Sequence, residues 1–297
     1  MKQIAAFALS VVLVATFAGS ARAGTWHKTS SGCSGESYII SGIWAYGLTQ
    51  GSAYVIGCSA GQLYDTTNSG ANWSEIWAGP PSGDPGYGAG TTGIAFTELH
   101  GTAALDSYGY PWINLPGGPT YDTSLPDIGG VTGYAAPRRE AIAGAYGSYA
   151  VLWDSWDNGY PILYRHASDT DGCTNAWTQL SGGLAADLGG QDASNNFWIL
   201  DYQLHPWKAG IIYECAVTWT EVDSTNSFDG ISANYNGVFV IASDSKTIKK
   251  WAGGTTWTSY GIPGYTGSTY TTEIASGFDG GYEVWATDST GGIWYYN

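Results

Sequence analysis

Trp219-Thr220-Glu221-Val222 opens a stretch that runs to Trp257 and decides how the chain is read. After a polar run come Gly230-Ile231-Ser232, then Val238-Phe239-Val240-Ile241-Ala242-Ser243-Asp244-Ser245, then Thr247-Ile248-Lys249-Lys250-Trp251. Gly253-Gly254-Thr255-Thr256 closes the stretch just before the next Trp. These are four short runs of β-favouring residues with turn residues between them, in 38 residues (257 − 219). The order then returns as Trp257-Thr258-Ser259-Tyr260, Ser276-Gly277-Phe278, Val284-Trp285-Ala286-Thr287-Asp288-Ser289 and Gly292-Ile293-Trp294-Tyr295-Tyr296. A four-strand unit at this period predicts a propeller blade.

Working back from the anchor, the unit recurs to the start of the chain. Copies open at Trp177-Thr178, Tyr121-Asp122, Trp73-Ser74 and Trp26-His27. Their second strands are Phe197-Trp198-Ile199-Leu200-Asp201, Tyr149-Ala150-Val151-Leu152-Trp153-Asp154, Thr102-Ala103-Ala104-Leu105-Asp106 and Ala53-Tyr54-Val55-Ile56. Six copies use up residues 24–297. The expectation is an all-β chain: a single six-bladed β-propeller with four-stranded blades. The first copy begins on the Trp strand and the last ends on Ile293-Trp294-Tyr295-Tyr296. The N-terminal strand is therefore expected to complete the last blade, which removes open sheet edges. Within a blade the order is Gly-Ile-Ser strand innermost, Val-x-Val second, Ile-x-x-Trp third, Trp-Thr outermost.

Met1–Ala23 reads as a signal peptide. Lys2 gives the charge, Ile4 to Phe17 is apolar, and Ala21-Arg22-Ala23 has the small-x-small form of a cleavage site. Export is expected, to the extracellular space or, in a bacterium, the periplasm. With Lys2 and Arg22 removed, the 10 basic residues fall to 8 against 25 acidic ones, a net charge of −17 (8 − 25). Nucleic acid and anionic lipid are poor partners for that charge. No apolar run is long enough to span a membrane as a helix. Charged residues are scarce at 12%, while Gly (44), Trp (15) and Tyr (22) abound, which suits tight turns and large packed rings.

The elements Trp-Thr, Gly-Ile-Ser, Val-x-Ala-x-Asp-Ser and Gly-x-Ile-Trp together resemble the tectonin-type β-propeller repeats of secreted lectins, over the whole of 24–297. The resemblance implies a propeller that binds carbohydrate. Thr67-Asn68-Ser69-Gly70-Ala71-Asn72-Trp73 also resembles an Asp-box, with Asn where the Asp would stand.

A short polar or acidic residue follows the second strand in each copy: Ser59, Asp106, Asp154, Asp201, Asp244 and Asp288. Such residues cap turns by bonding backbone N–H groups ahead of them. They could also form a ring of acceptors for sugar hydroxyls. The repeated Trp26, Trp73, Trp177, Trp219 and Trp257, with Tyr121 in the remaining copy, are expected to pack blade against blade. Rings off that pattern are Tyr87, Tyr108, Tyr110, Tyr134, Trp156, Tyr160 and Trp207, read as lying in insertions. Topology puts second-to-third and outer-to-inner loops on one face, the first face, and the remaining loops on the opposite one. The long insertions 78–91 and 126–140 fall on the first face. The candidate ligand residues there are Asp106, Tyr108, Arg138, Trp156, Asp157 and Trp207, with rings to stack on sugars and charged acceptors for hydroxyls.

Four cysteines in an exported chain are expected to pair. Cys33 and Cys58 fall on the first face and Cys173 and Cys215 on the opposite one, so Cys33–Cys58 and Cys173–Cys215 are the pairings that do not cross the protein. Ser168-Asp169-Thr170-Asp171-Gly172 has too few oxygen ligands, and no terminal Glu, for a calcium loop. No cofactor is expected, with calcium at this loop kept as the alternative. The four His have no metal spacing, and no Gly-x-Ser-x-Gly or phosphate loop occurs. The reading is thus a secreted, lectin-like propeller without catalysis, taking neutral rather than acidic glycans, as a monomer or small homo-oligomer. The alternatives are a polysaccharide-acting enzyme using a carboxylate pair, and an adhesive surface protein that binds protein.

Overall fold

The computed structural model describes residues 24–29, 42–45, 53–56, 62–66, 70–79, 82, 91–97, 101–106, 111–115, 120–121, 142–145, 148–152, 160–165, 177–210, 218–277 and 283–297. The proposed signal peptide and all four cysteines lie outside them. Every regular element among the described residues is a strand.

The strands are β1 (Trp26–Lys28), β2 (Gly42–Ala45), β3 (Ala53–Ile56), β4 (Leu63–Thr66), β5 (Ser74–Trp77), β6 (Thr91–Thr97), β7 (Gly101–Asp106) and β8 (Pro111–Leu115). They continue as β9 (Thr120–Tyr121), β10 (Ile142–Ala145), β11 (Ser148–Leu152), β12 (Tyr160–Arg165), β13 (Trp177–Gln191), β14 (Phe197–Asp201), β15 (Pro206–Ala209) and β16 (Trp219–Glu221). The last are β17 (Phe228–Asn234), β18 (Gly237–Ala242), β19 (Ile248–Gly253), β20 (Thr256–Gly261), β21 (Thr271–Ser276), β22 (Val284–Asp288) and β23 (Ile293–Tyr296).

Four sheets have four antiparallel strands: β2-β3-β4-β5, β6-β7-β8-β9, β17-β18-β19-β20 and β1-β23-β22-β21. In the last, β1 lies on β23 with Trp26 opposite Tyr296 and Lys28 opposite Trp294. The fifth sheet departs from the four-strand expectation: it has seven strands, β10 to β16 in order. The cause is β13, whose Trp177–Gln179 pairs with Leu163–Arg165 and whose Leu184–Ala185 pairs with Tyr160–Pro161. The outer strand of one copy runs straight into the inner strand of the next. Between the two halves β13 advances five residues while β12 advances two, beside Pro161, which has no N–H to give to a ladder.

The inner strand of each copy faces its neighbours: β2 lies against β6 and β21, β6 against β10, β10 against β13, β13 against β17, and β17 against β21. Strand β18 explains why its sequence is apolar at every position. Val238 and Val240 pack with Trp198, Leu200, Phe228 and Ile231 on one side. Phe239 and Ile241 pack with Ile248, Ile274, Val284 and Ala286 on the other. A strand buried on both faces loses the usual apolar-polar alternation. Trp26, Tyr260 and Tyr296 seal the rim of the second cluster, with Trp26 donating its indole N–H to the Tyr260 carbonyl (2.9 Å).

Candidate functional site

The acidic residues after the second strands are the natural place to begin, and two of them have a fixed job. Asp201 Oδ1 accepts from the N–H groups of Gln203 and His205, and its Oδ2 accepts from Trp207 Nε1 (2.8 Å). Asp288 repeats this with Thr290, Gly292 and Trp294 Nε1 (2.7 Å). Asp192, in the hairpin between β13 and β14, does the same for Ser194, Asn196 and Trp198 (2.7 Å). One carboxylate thus caps the turn and holds the ring six residues on. The fourth residue of each such turn is left-handed: Asn195, Leu204 and Gly291. Asp106 and Trp112 have the same six-residue spacing, and Trp112 is buried. This Asp-x5-Trp spacing is legible in the sequence itself. Asp244 is different: the equivalent strand ends at Ala242, and Asp244 caps Lys246 and Thr247 two residues later.

Trp207 therefore moves. It stands in β15, opposite Ile199 and Glu221, with its N–H given to Asp201, and not in an insertion. Pro206-Trp207 looked like a loop because proline usually breaks a strand, but here Pro206 is the strand's first residue, where proline is tolerated. Asp106 ends β7. Tyr108, Arg138, Trp156 and Asp157 lie outside the described residues.

The first face is real in its described part. Phe228 N–H donates to the Leu204 carbonyl, Thr271 N–H to Ser245, and Ser289 N–H to Tyr270. Second-to-third turns and outer-to-inner loops thus gather at one end, where the inner strands begin. Tyr202 sits on a turn tip there, 75% exposed, and Tyr270 and Ile262 are each 47% exposed.

Beneath them, β6, β17 and β21 each have a register shift after the first residue, at Thr91/Gly93, Phe228/Gly230 and Thr271/Glu273, and β13 has one at Ala185/Asp187, where its pairing with β14 begins. Such bulges re-aim the next side chain. They put Asp187, Gly230 and Glu273 at one level on three neighbouring inner strands. Asp187 accepts from its neighbour Leu188 N–H (2.8 Å) and, across to β17, from Ile231 N–H (2.9 Å). A Cβ on Gly230 would stand 3.0 Å from Ile241 Cδ1 and 3.7 Å from Asp187 Oδ2, so glycine keeps that approach open. Glu273 keeps an exposed surface while protein crowds its carboxyl. That crowding first, and the Asp187 charge second, push its carboxyl up to about 8. Asp229, on the bulge of β17, is exposed and accepts from Ser245 Oγ (2.5 Å).

Among the described residues no group of three or more His, Cys, Asp or Glu could hold a metal ion. No family model matches the sequence, and no curated protein does. Solved structures do match in shape. A putative gluconolactonase aligns with TM-score 0.61 at 11% identity, over 92% of each chain. YCF48 from Cyanidioschyzon merolae aligns at 0.55 and 11%, over 92% of this chain and 98% of that one. Catalytically inactive virginiamycin B lyase from Staphylococcus aureus, with quinupristin, aligns at 0.55 and 11%, over 92% and 99%. The fold is of the β-propeller type. Propeller neighbours of such different activities, at such low identity, speak for the fold alone.

Proposed function

We propose that residues 24–297 form one six-bladed propeller, exported after loss of Met1–Ala23, that binds carbohydrate at its first face without catalysis. Six inner strands in mutual contact, β2-β6-β10-β13-β17-β21 and back to β2, support the blade count. The β1–β23 pairing supports closure by the N-terminal strand. The binding reading is carried by one observation: Tyr202, a large ring at a turn tip, stays three-quarters exposed on the face where the inner-strand carboxylates open. A rigid exposed ring offers a sugar an apolar surface at small entropic cost. Asp106, Tyr108, Arg138, Trp156 and Asp157 remain proposed contacts, and Tyr202 replaces Trp207 among the rings. A glycan array with the wild type and Tyr202→Ala tests the reading. Retained binding by a folded Tyr202→Ala would remove its carrying observation, and no binding by the wild type would remove the function.

A second reading, a polysaccharide-acting enzyme, is favoured by the division between Asp187, which accepts two backbone N–H bonds, and Glu273, held up in pKa. A carboxyl raised toward neutrality can serve as the acid of such a pair. Release of reducing ends from bound oligosaccharides would decide for it.

A further inference from the structure

We propose that residues 24–29 are a donor strand: one copy of this chain gives them to the edge of β23 in a second copy and receives that copy's own in return. The inference does not depend on the ligand of the first face. It starts from how the edge reads the segment it holds. Thr25 and Asn297 exchange backbone bonds, and Thr29 N–H donates to the Ile293 carbonyl, so the segment is paired at both ends. Between these bonds the side chains have their own seats. At position 24 a Cβ would meet the Asn297 carbonyl oxygen and the Tyr296 ring, so glycine is what fits. Trp26 gives its indole N–H to the Tyr260 carbonyl (2.9 Å) and stands edge-on to Tyr296 at 5.4 Å. His27, on the other side of the strand, stacks on Tyr295 at 5.1 Å with planes 19° apart. Lys28 Nζ lies 5.3 Å from the centroid of the Trp294 ring. Thr29 meets Gly70, whose missing Cβ makes room for the Thr29 methyl.

A segment held in this way occupies a strand-addition site, where backbone bonds give affinity and alternate seats give specificity. The seats named are residues 70, 260 and 293–297, and they act alike whichever chain carries the segment. They match this chain's own residues 24–29, which makes a second copy the occupant. Strand β1 is short, with His27 and Lys28 exposed, so its release costs little beside the opening of a central strand. Residues 30–41 link Thr29 to Gly42. Extended, such a link reaches up to about 40 Å, against a radius of gyration of roughly 19 Å for a domain of this size. Reciprocal exchange keeps every contact and closes as a symmetric pair. What it loses is the tether, which holds a segment at roughly millimolar concentration for its own edge. Exchange therefore sets in as the protein approaches that concentration, and salt favours it by screening the net charge of −17 on each copy.

Register supplies the test, since His27 lies opposite Tyr295. Cysteines at directly opposed positions stand within disulfide reach. One full-length exported chain carries His27→Cys and a second carries Tyr295→Cys. The two are mixed near millimolar concentration in salt, warmed below the melting transition, cooled and oxidised, and peptide mapping locates the link. The expected product joins the two chains through positions 27 and 295, in a yield that rises with concentration. That yield should exceed at least about tenfold the yield from His27→Cys mixed with Thr220→Cys, an exposed position on β16. Light scattering should show the wild type passing from monomer to dimer over the same range, and a monomer at every concentration would overturn the exchange. The double variant His27→Cys/Tyr295→Cys, kept dilute, should close the same link within one chain. If it closes while the mixed chains stay unlinked, β1 serves its own chain alone and the inference is overturned. Equal yields with Thr220→Cys overturn it too, as products of collision. If the double variant fails to link, the segment is not seated on β23 and the inference falls with its site.

Discussion

Trp257 and Asp223 are tied across two sheets: the indole N–H of Trp257, on β20, donates to Asp223 Oδ2 at 3.0 Å, in the loop after β16. Asp223 also accepts from Thr225 and Asn226, by backbone and side chain alike. Its carboxylate is shut off from solvent at 1% exposure, sealed by its own loop close to the surface. Trp257 meanwhile packs on Phe228 with ring centroids 4.7 Å apart. This explains why Trp257 is aromatic and not merely apolar. The ring fills the space between blades, and its N–H fastens the neighbouring loop.

Removing that acceptor leaves several donors without a partner. Asp223→Ala is expected to cost about 2–3 kcal/mol, a fall in melting temperature of roughly 5–10 °C for a domain of this size. Trp257→Phe should cost less, since the carboxylate keeps its loop donors. Thermal melts at pH 7 of the two variants give the order.

The same bonds set an acid limit. Burial pushes Asp223 up, but donors from Asn226, Thr225 and Trp257 outweigh it and bring the group to about 2. Asp288 is likewise held below its ordinary value: burial raises it, and donors from Thr290, Trp294 and Gly292 outweigh that. A carboxyl lowered by folding binds its proton more readily in the unfolded chain. The stability it contributes is therefore whole above about pH 4 and is lost as pH falls toward 2. Denaturant midpoints from pH 5 to 2 should drop steeply in the wild type and more gently in Asp223→Asn.

Glu273 works in the opposite direction. Its carboxyl is higher in the fold than in the unfolded chain, so ionising it opposes folding. Stability should decline as pH rises from about 4.5 to about 8, the span between its ordinary and folded values. Glu273→Gln should flatten that slope. A wild type and variant with parallel pH curves over this span would show that Glu273 titrates normally.

Tyr202 and Trp207 separate binding from structure. Tyr202→Ala should lose glycan affinity with an unchanged melting temperature. Trp207→Phe leaves Asp201 Oδ2 without its indole donor and should cost about 1 kcal/mol, with affinity retained. Melting and binding of both variants, measured together, check the pair; the reverse pattern would return the ligand to Trp207.

Strand β1 ties the ends of the chain. Thr25 and Asn297 exchange backbone bonds, Thr29 N–H donates to Ile293, and Trp26 packs edge-on against Tyr296 at 5.4 Å. Deleting Gly24–Thr29 uncovers the edge of β23 and one side of the Tyr260–Tyr296 cluster. A fall in melting temperature of about 10 °C is expected; an unchanged melt would mean that the sheet does not depend on its N-terminal strand.

What the sequence determined by itself is the scaffold. Short β-type runs at a fixed period, with turn residues between them, were enough for an all-β repeat fold, for the strand order within a sheet and for the pairing of β1 with β23. Those features depend on local propensity and on a pattern that each copy repeats, so any one copy informs the others. Copy boundaries were less legible: β13 joins two copies in one strand, because nothing in Leu180-Ser181-Gly182-Gly183 forces a turn. Tertiary structure alone decided the candidate site. Trp207 read as a loop ring until its N–H was found on Asp201, six residues back. Asp187 and Glu273 are 86 residues apart (273 − 187) and belong to no repeated motif. Only the packing of β13 and β21 on either side of β17, with bulges at Ala186 and Thr272 turning the next side chains, brings two unremarked acids to one level. A repeat shows what every blade shares, whereas a binding site is built where blades differ, and differences meet only in three dimensions.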